Sequence, residues 1–175
     1  MSSLLEELKK TQPKWERRYE ETVIRELADY GRGTNALSDA RGKLFGAGYE
    51  VFIIAFFIGL YLDDRKPLND DTKTFGVPFG DWGSNRSLDR KDYKGLQDFI
   101  FAALVARTDI DVLAYDKKEC TIASLVAALR KTMEEYANAG FSYLREVLET
   151  HPNQLFEPNG FLDIFMSFIP QKTDD

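Results

Sequence analysis

The chain has 175 residues, a mass of 20.0 kDa and a formal charge of -6, with 43% apolar and 13% aromatic content, enough for one domain with a sizeable core. Residues 1 to 62 hold nine bases and nine acids, residues 63 to 108 hold eight of each, and residues 109 to 175 hold six bases against twelve acids, so the imbalance is C-terminal. That profile argues against a protein that coats nucleic acid non-specifically, and the lone cysteine, Cys120, excludes an internal disulfide and a cysteine-rich metal centre.

At the N-terminus, "MSSLLEELKK" has acids beside its leucines and no basic region, which is not a secretory pattern; with one cysteine, it points to a reducing, cytoplasmic location. Ser3 and Glu6 have capping-box spacing, so a short helix is expected there, interrupted or restarted at Pro13. Trp15, Tyr19, Val23, Leu27 and Tyr30 recur at spacings of four and three, which predicts a second helix from Trp15 that stops at Gly31. Residues 1 to 31 thus read as an N-terminal helical segment, and "RGTNALSDARGK" is a turn-rich link.

The run from Val51 to Leu62 is apolar all round. Its twelve residues fall short of the roughly 20 that span a membrane, so it reads as a central helix surrounded by other elements. From Asp63 to Ser87, "DDRKPLNDDTKTFGVPFGDWGSNRS" is too rich in Pro and Gly for a long helix. It has room for a small hairpin around Phe75 to Phe79, and a loop of that length tends to carry function.

Helical spacing returns in Leu96, Phe99, Ile100, Ala103 and Leu104, predicted to share a packed face. A long helix is predicted from about Thr121 to Thr150, with Asn138 and Gly140 expected to weaken or bend its middle. Asn159 is placed to cap a final apolar helix packed by Phe161, Leu162, Phe165 and Phe168, and "QKTDD", residues 171 to 175, reads as a flexible tail. The fold class is therefore mainly α: a single compact domain of five to six helices around a buried central one.

Chemistry-bearing residues are sparse. His151, the only histidine, sits at a helix end where it complements the last carbonyls, and a lone histidine makes a histidine-based metal site or triad improbable. No phosphate-binding loop, nucleotide fingerprint or nucleophile elbow occurs, so no catalytic residue, metal or cofactor is assigned. Asp70, Asp71 and Lys73 follow the loose pattern of a metal-dependent nuclease, against the simpler reading of a solvated turn. Arg65, Lys66, Lys73, Arg86, Arg90, Lys91 and Lys94 alternate with Phe75, Phe79, Trp82 and Tyr93, as a face for phosphates and unpaired bases requires. Seven acids share the segment, so paired surface charges are the competing reading. Candidate contacts for nucleic acid or a protein partner are Arg65, Lys66, Trp82, Arg86, Arg90, Lys91 and Lys94.

The order of "YEVFIIAFFIGLYLDDRKPL", "YKGLQDFIFAALVARTDIDVLA" and "EEYANAGFSYLREVLE", then a terminal apolar helix, resembles the dnd system-associated protein 4 type family, small accessory proteins of bacterial DNA phosphorothioation systems. The distinctive matches are "GLYLDDRKPL" and "EEYANAG", and the resemblance covers residues 45 to 169. The loop over 69 to 91 departs in length. What the resemblance implies is a non-catalytic accessory or regulatory role in a defence island, with other modification or restriction components, and DNA, as partners; it carries over no active-site residue. An acidic C-terminal region with apolar "FLDIFMSFI" adds the expectation of a homo-oligomer interface and, with the short apolar run, no membrane partner.

Overall fold

The structure, a computed structural model, describes residues 3–30, 42–83, 95–109, 117 and 120–169. Among them the protein is mainly α, with six α-helices and one two-stranded antiparallel sheet. Helix α1 (Leu4–Lys9) starts where the Ser3 hydroxyl accepts the Glu6 amide at 3.2 Å.

The second helix begins later than its spacing predicts. Trp15–Glu16 is a strand, β1, paired with β2 (Thr72–Lys73) so that Trp15 faces Lys73. The physical reason is tertiary: the Trp15 ring stacks on Phe75 at 5.4 Å and meets Tyr30 edge-on, which extended backbone after Pro13 allows. A π-helical turn (Glu20–Ile24) then leads into α2 (Arg25–Leu27). Trp15, Tyr19, Val23 and Leu27 are all buried, so the apolar spacing marks the core correctly even where it misnames the element.

The hairpin expected around Phe75 to Phe79 is absent; a 3-10 turn (Phe79–Asp81) stands there, and the sheet forms with the distant β1 instead. Phe79 and Trp82 go into the core, packed edge-on against each other at 5.4 Å.

Helix α3 (Gly48–Leu62) is the expected central helix, and α5 (Ile122–Thr150) packs along it. Their contacts ascend along one helix and descend along the other, so they are antiparallel. A Cβ on Gly59 would lie 2.0 Å from the Tyr136 carbonyl oxygen, and one on Gly140 would lie 1.8 Å from that of Ala55. The two backbones touch because each helix puts a glycine against the other. Gly140 does not divide the helix: α5 runs unbroken for 29 residues. Phe52, Phe56 and Ile58 fill the rest of the joint, but α3 is not enclosed throughout, since Tyr61 is 58% exposed at its end. On its other flank Ile53 and Ile54, with Phe45, Glu50 and Leu96, line an apolar cleft of about 170 Å³.

Helix α4 (Leu96–Arg107) buries Ile100 and Leu104 as expected, but Phe99 is 72% exposed. In α6 (Gly160–Ser167) Ile164 rather than Leu162 is buried, and Asn159 holds the N-cap position without a side-chain cap bond. The two helices are apolar on more than one side, so spacing alone does not identify the face that is covered. His151 ends α5 through its backbone N–H to Val147, while its ring meets the Thr150 hydroxyl rather than the last carbonyls. No helix among the described residues is long and apolar enough to cross a membrane. The turn-rich link over 31–41 and the tail over 171–175 lie outside the described residues.

Candidate partner-contact site at the helix junction

Where α3 ends, Asp63 adopts a left-handed conformation (φ 51°), and its amide and that of Asp64 close back on Leu60 and Gly59. Aspartate tolerates that region better than most residues, so it serves where a glycine is common. The chain then runs along α5, and several polar groups of "DDRKPLND" bind it. The Arg65 guanidinium donates twice to Glu135 Oε2, at 2.6 and 3.1 Å, and its Cζ lies 5.6 Å from the Tyr136 ring centre. The Lys66 amide donates to the Glu135 carbonyl at 3.1 Å, and its Nζ to the Ser142 hydroxyl at 3.2 Å.

Beneath the junction lies Asn138, 3% exposed. Its Nδ2 is within hydrogen-bond distance of three acceptors: the Lys66 and Pro67 carbonyls, both at 3.1 Å, and Glu16 Oε1 at 3.0 Å. The same Glu16 oxygen accepts the Asn69 amide at 2.8 Å, and Arg18 Nε stands 2.5 Å from the other oxygen. Glu16 is 2% exposed; its Oε1 takes both hydrogen bonds, while Oε2 has no hydrogen-bond partner among the described residues and is offset by the Arg18 charge beside it. Thr132, Glu135 and Asn138 are buried polar residues three apart, a stripe down one side of α5 that the junction covers. Sequence reasoning missed them as a set. The available signal was their spacing of three beside the apolar positions Leu129, Met133 and Tyr136.

The candidate contact residues separate clearly. Arg65 and Lys66 keep 39% and 47% of their side chains exposed, with their inner contacts on α5. Trp82 is a correction: it is 1% exposed, its indole N–H donates to the Val77 carbonyl, and its ring stacks on Tyr49 at 5.7 Å, so it offers a partner no surface. Arg86, Arg90, Lys91 and Lys94 lie outside the described residues.

Asp70, Asp71 and Lys73 do not converge on a shared ion. Asp71 pairs with Arg17 at 2.9 Å, and Lys73 donates to Glu20 at 2.6 Å. That Lys73 bond holds the Glu20 carboxyl below its ordinary value, against the opposing effect of burial. Among the described residues no group of three or more His, Cys, Asp or Glu is placed to hold a metal ion.

Comparison with protein-family models, with curated proteins and with solved structures returned no match to this chain.

Proposed function

We propose that the protein is a non-catalytic accessory or regulatory component of a DNA phosphorothioation-linked bacterial defence system, working through protein contacts. One observation supports the reading above the others. The two segments that carry the family resemblance, "GLYLDDRKPL" and "EEYANAG", are one structural unit: Gly59 meets Tyr136, Gly140 meets Ala55, Arg65 binds Glu135, and Asn138 binds the carbonyls of Lys66 and Pro67. The two segments thus depend on each other for packing, with no catalytic constellation between them among the described residues. Their junction presents Asp64, Arg65 and Lys66 as a mixed-charge edge that suits a protein partner.

The test is a pull-down with the tagged chain in a host carrying such a system. Recovery of a modification or restriction component, reduced in Arg65→Ala/Lys66→Ala, supports the reading; recovery of none ends it. A second reading, a DNA-binding module over residues 65 to 94, draws on the half-exposed Arg65 and Lys66. It requires a gel shift that weakens with salt and with alanine at Arg86, Arg90 and Lys91.

A further inference from the structure

On the side of α5 that faces the junction, the acids are inside and the bases outside. Glu134 and Glu135 follow each other on the helix, and their side chains are only 11% and 9% exposed. Arg65 binds Glu135 Oε2 at 2.6 Å, and Lys131 Nζ lies 3.8 Å from Oε1 of the same carboxylate. Glu134 Oε1 accepts the Lys14 amide at 2.8 Å and has Arg130 Nε at 3.5 Å. Two adjoining carboxylates thus gather bases from α5, from the chain after α3 and from the segment before β1.

The bases themselves stay in water. Lys131 is 74% exposed, Arg65 and Arg130 are more than a third exposed, and Lys14 is exposed. The exposed acids that border them are already matched: Asp63 by Arg107 at 2.7 Å and Asp64 by Lys66 at 3.7 Å. On α1, which packs against α5, Glu6 and Glu7 pair with Lys9 and Lys10 at 3.0 and 2.6 Å. Four bases over two sunken carboxylates therefore make a locally positive face on a chain of net charge -6. Burial also raises the Glu134 carboxyl above its ordinary value, toward its neutral form, which adds to the excess.

The face lacks what a protein interface needs at its centre. The large apolar side chains exposed among the described residues are Leu44, Ile169 and members of α3, α4 and α6, and none belongs to α5 or to the Lys14 segment. No exposed ring is offered for stacking on an unpaired base either, since Tyr136 beneath Arg65 is 3% exposed.

We propose that Lys14, Arg65, Arg130 and Lys131 form a docking surface for the phosphate backbone of a nucleic-acid duplex. Guanidinium and ammonium groups held outward on buried carboxylates contact phosphate oxygens without reading bases, so the binding is independent of sequence. The surface shares only Arg65 with the DNA-binding reading over residues 65 to 94, and it does not depend on a defence-system role.

The test follows fluorescence anisotropy of a short labelled DNA duplex with the full chain at several salt concentrations. Binding is expected to fall with salt at a log–log slope of about -3 to -4, as four phosphate contacts require. Lys131→Gln and Lys14→Gln, both at exposed side chains, are expected to weaken binding about five- to tenfold each near 0.1 M salt and to reduce the slope by about one, with thermal unfolding unchanged. Arg145→Gln removes the same charge about 21 Å further along α5 and is expected to leave binding as it was. Alanine at Arg86, Arg90 and Lys91 is also expected to leave it unchanged. Loss of binding in that triple variant with Lys131→Gln unaffected moves the contact to the loop and overturns this surface. Equal weakening by Arg145→Gln, or no salt-sensitive binding at all, overturns it as well. Displacement of the duplex by polyglutamate at equal charge overturns the nucleic-acid assignment in favour of an acidic protein segment.

Discussion

The contact between α3 and α5 allows a sharp test through Gly140→Ala. In an ordinary exposed helix this change stabilises by about 1 kcal/mol, because alanine is the better helix former. Here the new methyl would sit 1.8 Å from the Ala55 carbonyl oxygen, a backbone atom with no rotamer to escape into. Restoring a contact near 3.5 Å requires the helices to part by roughly 1.5 Å, and a gap of even 0.5–1 Å forfeits a quarter to a half of each dispersion well. Phe52, Phe56, Tyr136 and Phe141 lie along this joint, so overpacking and lost contact together cost about 3–5 kcal/mol, or about 2–4 net of the helix gain. Urea unfolding followed by circular dichroism reads this as a lower midpoint at unchanged slope, and thermal unfolding as a fall of roughly 5–15 °C. Gly59→Ala, 2.0 Å from Tyr136, is expected to behave alike, and the double variant to cost less than the sum, since one separation relieves both clashes. A Gly140→Ala protein as stable as the parent would refute the close-packed joint.

Asn138→Ala removes the amide that holds the Lys66 and Pro67 carbonyls and Glu16, and is expected to cost about 2–4 kcal/mol. Hydrogen exchange should show protection lost at the Asn69 amide before the α5 core; uniform loss would count against the junction as a local clasp. Burial raises the Glu134 carboxyl above its ordinary 4.5, against the Lys14 amide and Arg130. The folded chain then holds this proton more tightly than the unfolded one, so this contribution to stability falls as pH rises from 4.5 through the folded value, and Glu134→Gln abolishes that slope. Glu20, lowered chiefly by Lys73 and further by Arg25, has the opposite sign: its contribution is present above 4.5 and is lost as pH falls through the folded value, a dependence Lys73→Met reduces. Parallel unfolding curves across acid pH check both, and identical slopes in parent and variants refute the assignments. Leu162 and Met166 are more than half exposed on α6, so wild type is expected to self-associate in sedimentation and Met166→Glu to be monomeric; a strictly monomeric wild type contradicts a homo-oligomer face.

Length and apolar content identify α3 because a short all-apolar run has few other resolutions in water, and the spacing of Leu129, Met133, Tyr136 and Leu144 identifies α5 for the same reason. Trp15 shows the limit. Its spacing to Tyr19 suits a helix, yet the residue is claimed by a strand whose partner is fifty-eight positions away and by the Phe75 ring, neither of which local pattern contains. Phe99 and Leu162 fail for a second reason: in a helix apolar on several sides, the covered face is chosen by what docks there. Of the candidate site, Arg65 and Lys66 were legible as charges emerging from the core helix. Their acceptors on α5 were not, because Glu135 and Ser142 join them only through tertiary packing.

The bond between Asn138 and Glu16 spans 122 residues of chain. During synthesis, at about 5–20 residues per second, the Glu16 carboxylate thus waits for many seconds before its amide partner exists. The strand it belongs to can pair with Thr72–Lys73 earlier, but it cannot be sealed from water until α5 arrives. The N-terminal third is therefore the first part made and the last part finished. Long-range closure of this kind slows folding. Ribosome-bound chains truncated before Asn138 should leave that region open to protease, with protection appearing only once the residues up to about Ser142 have emerged.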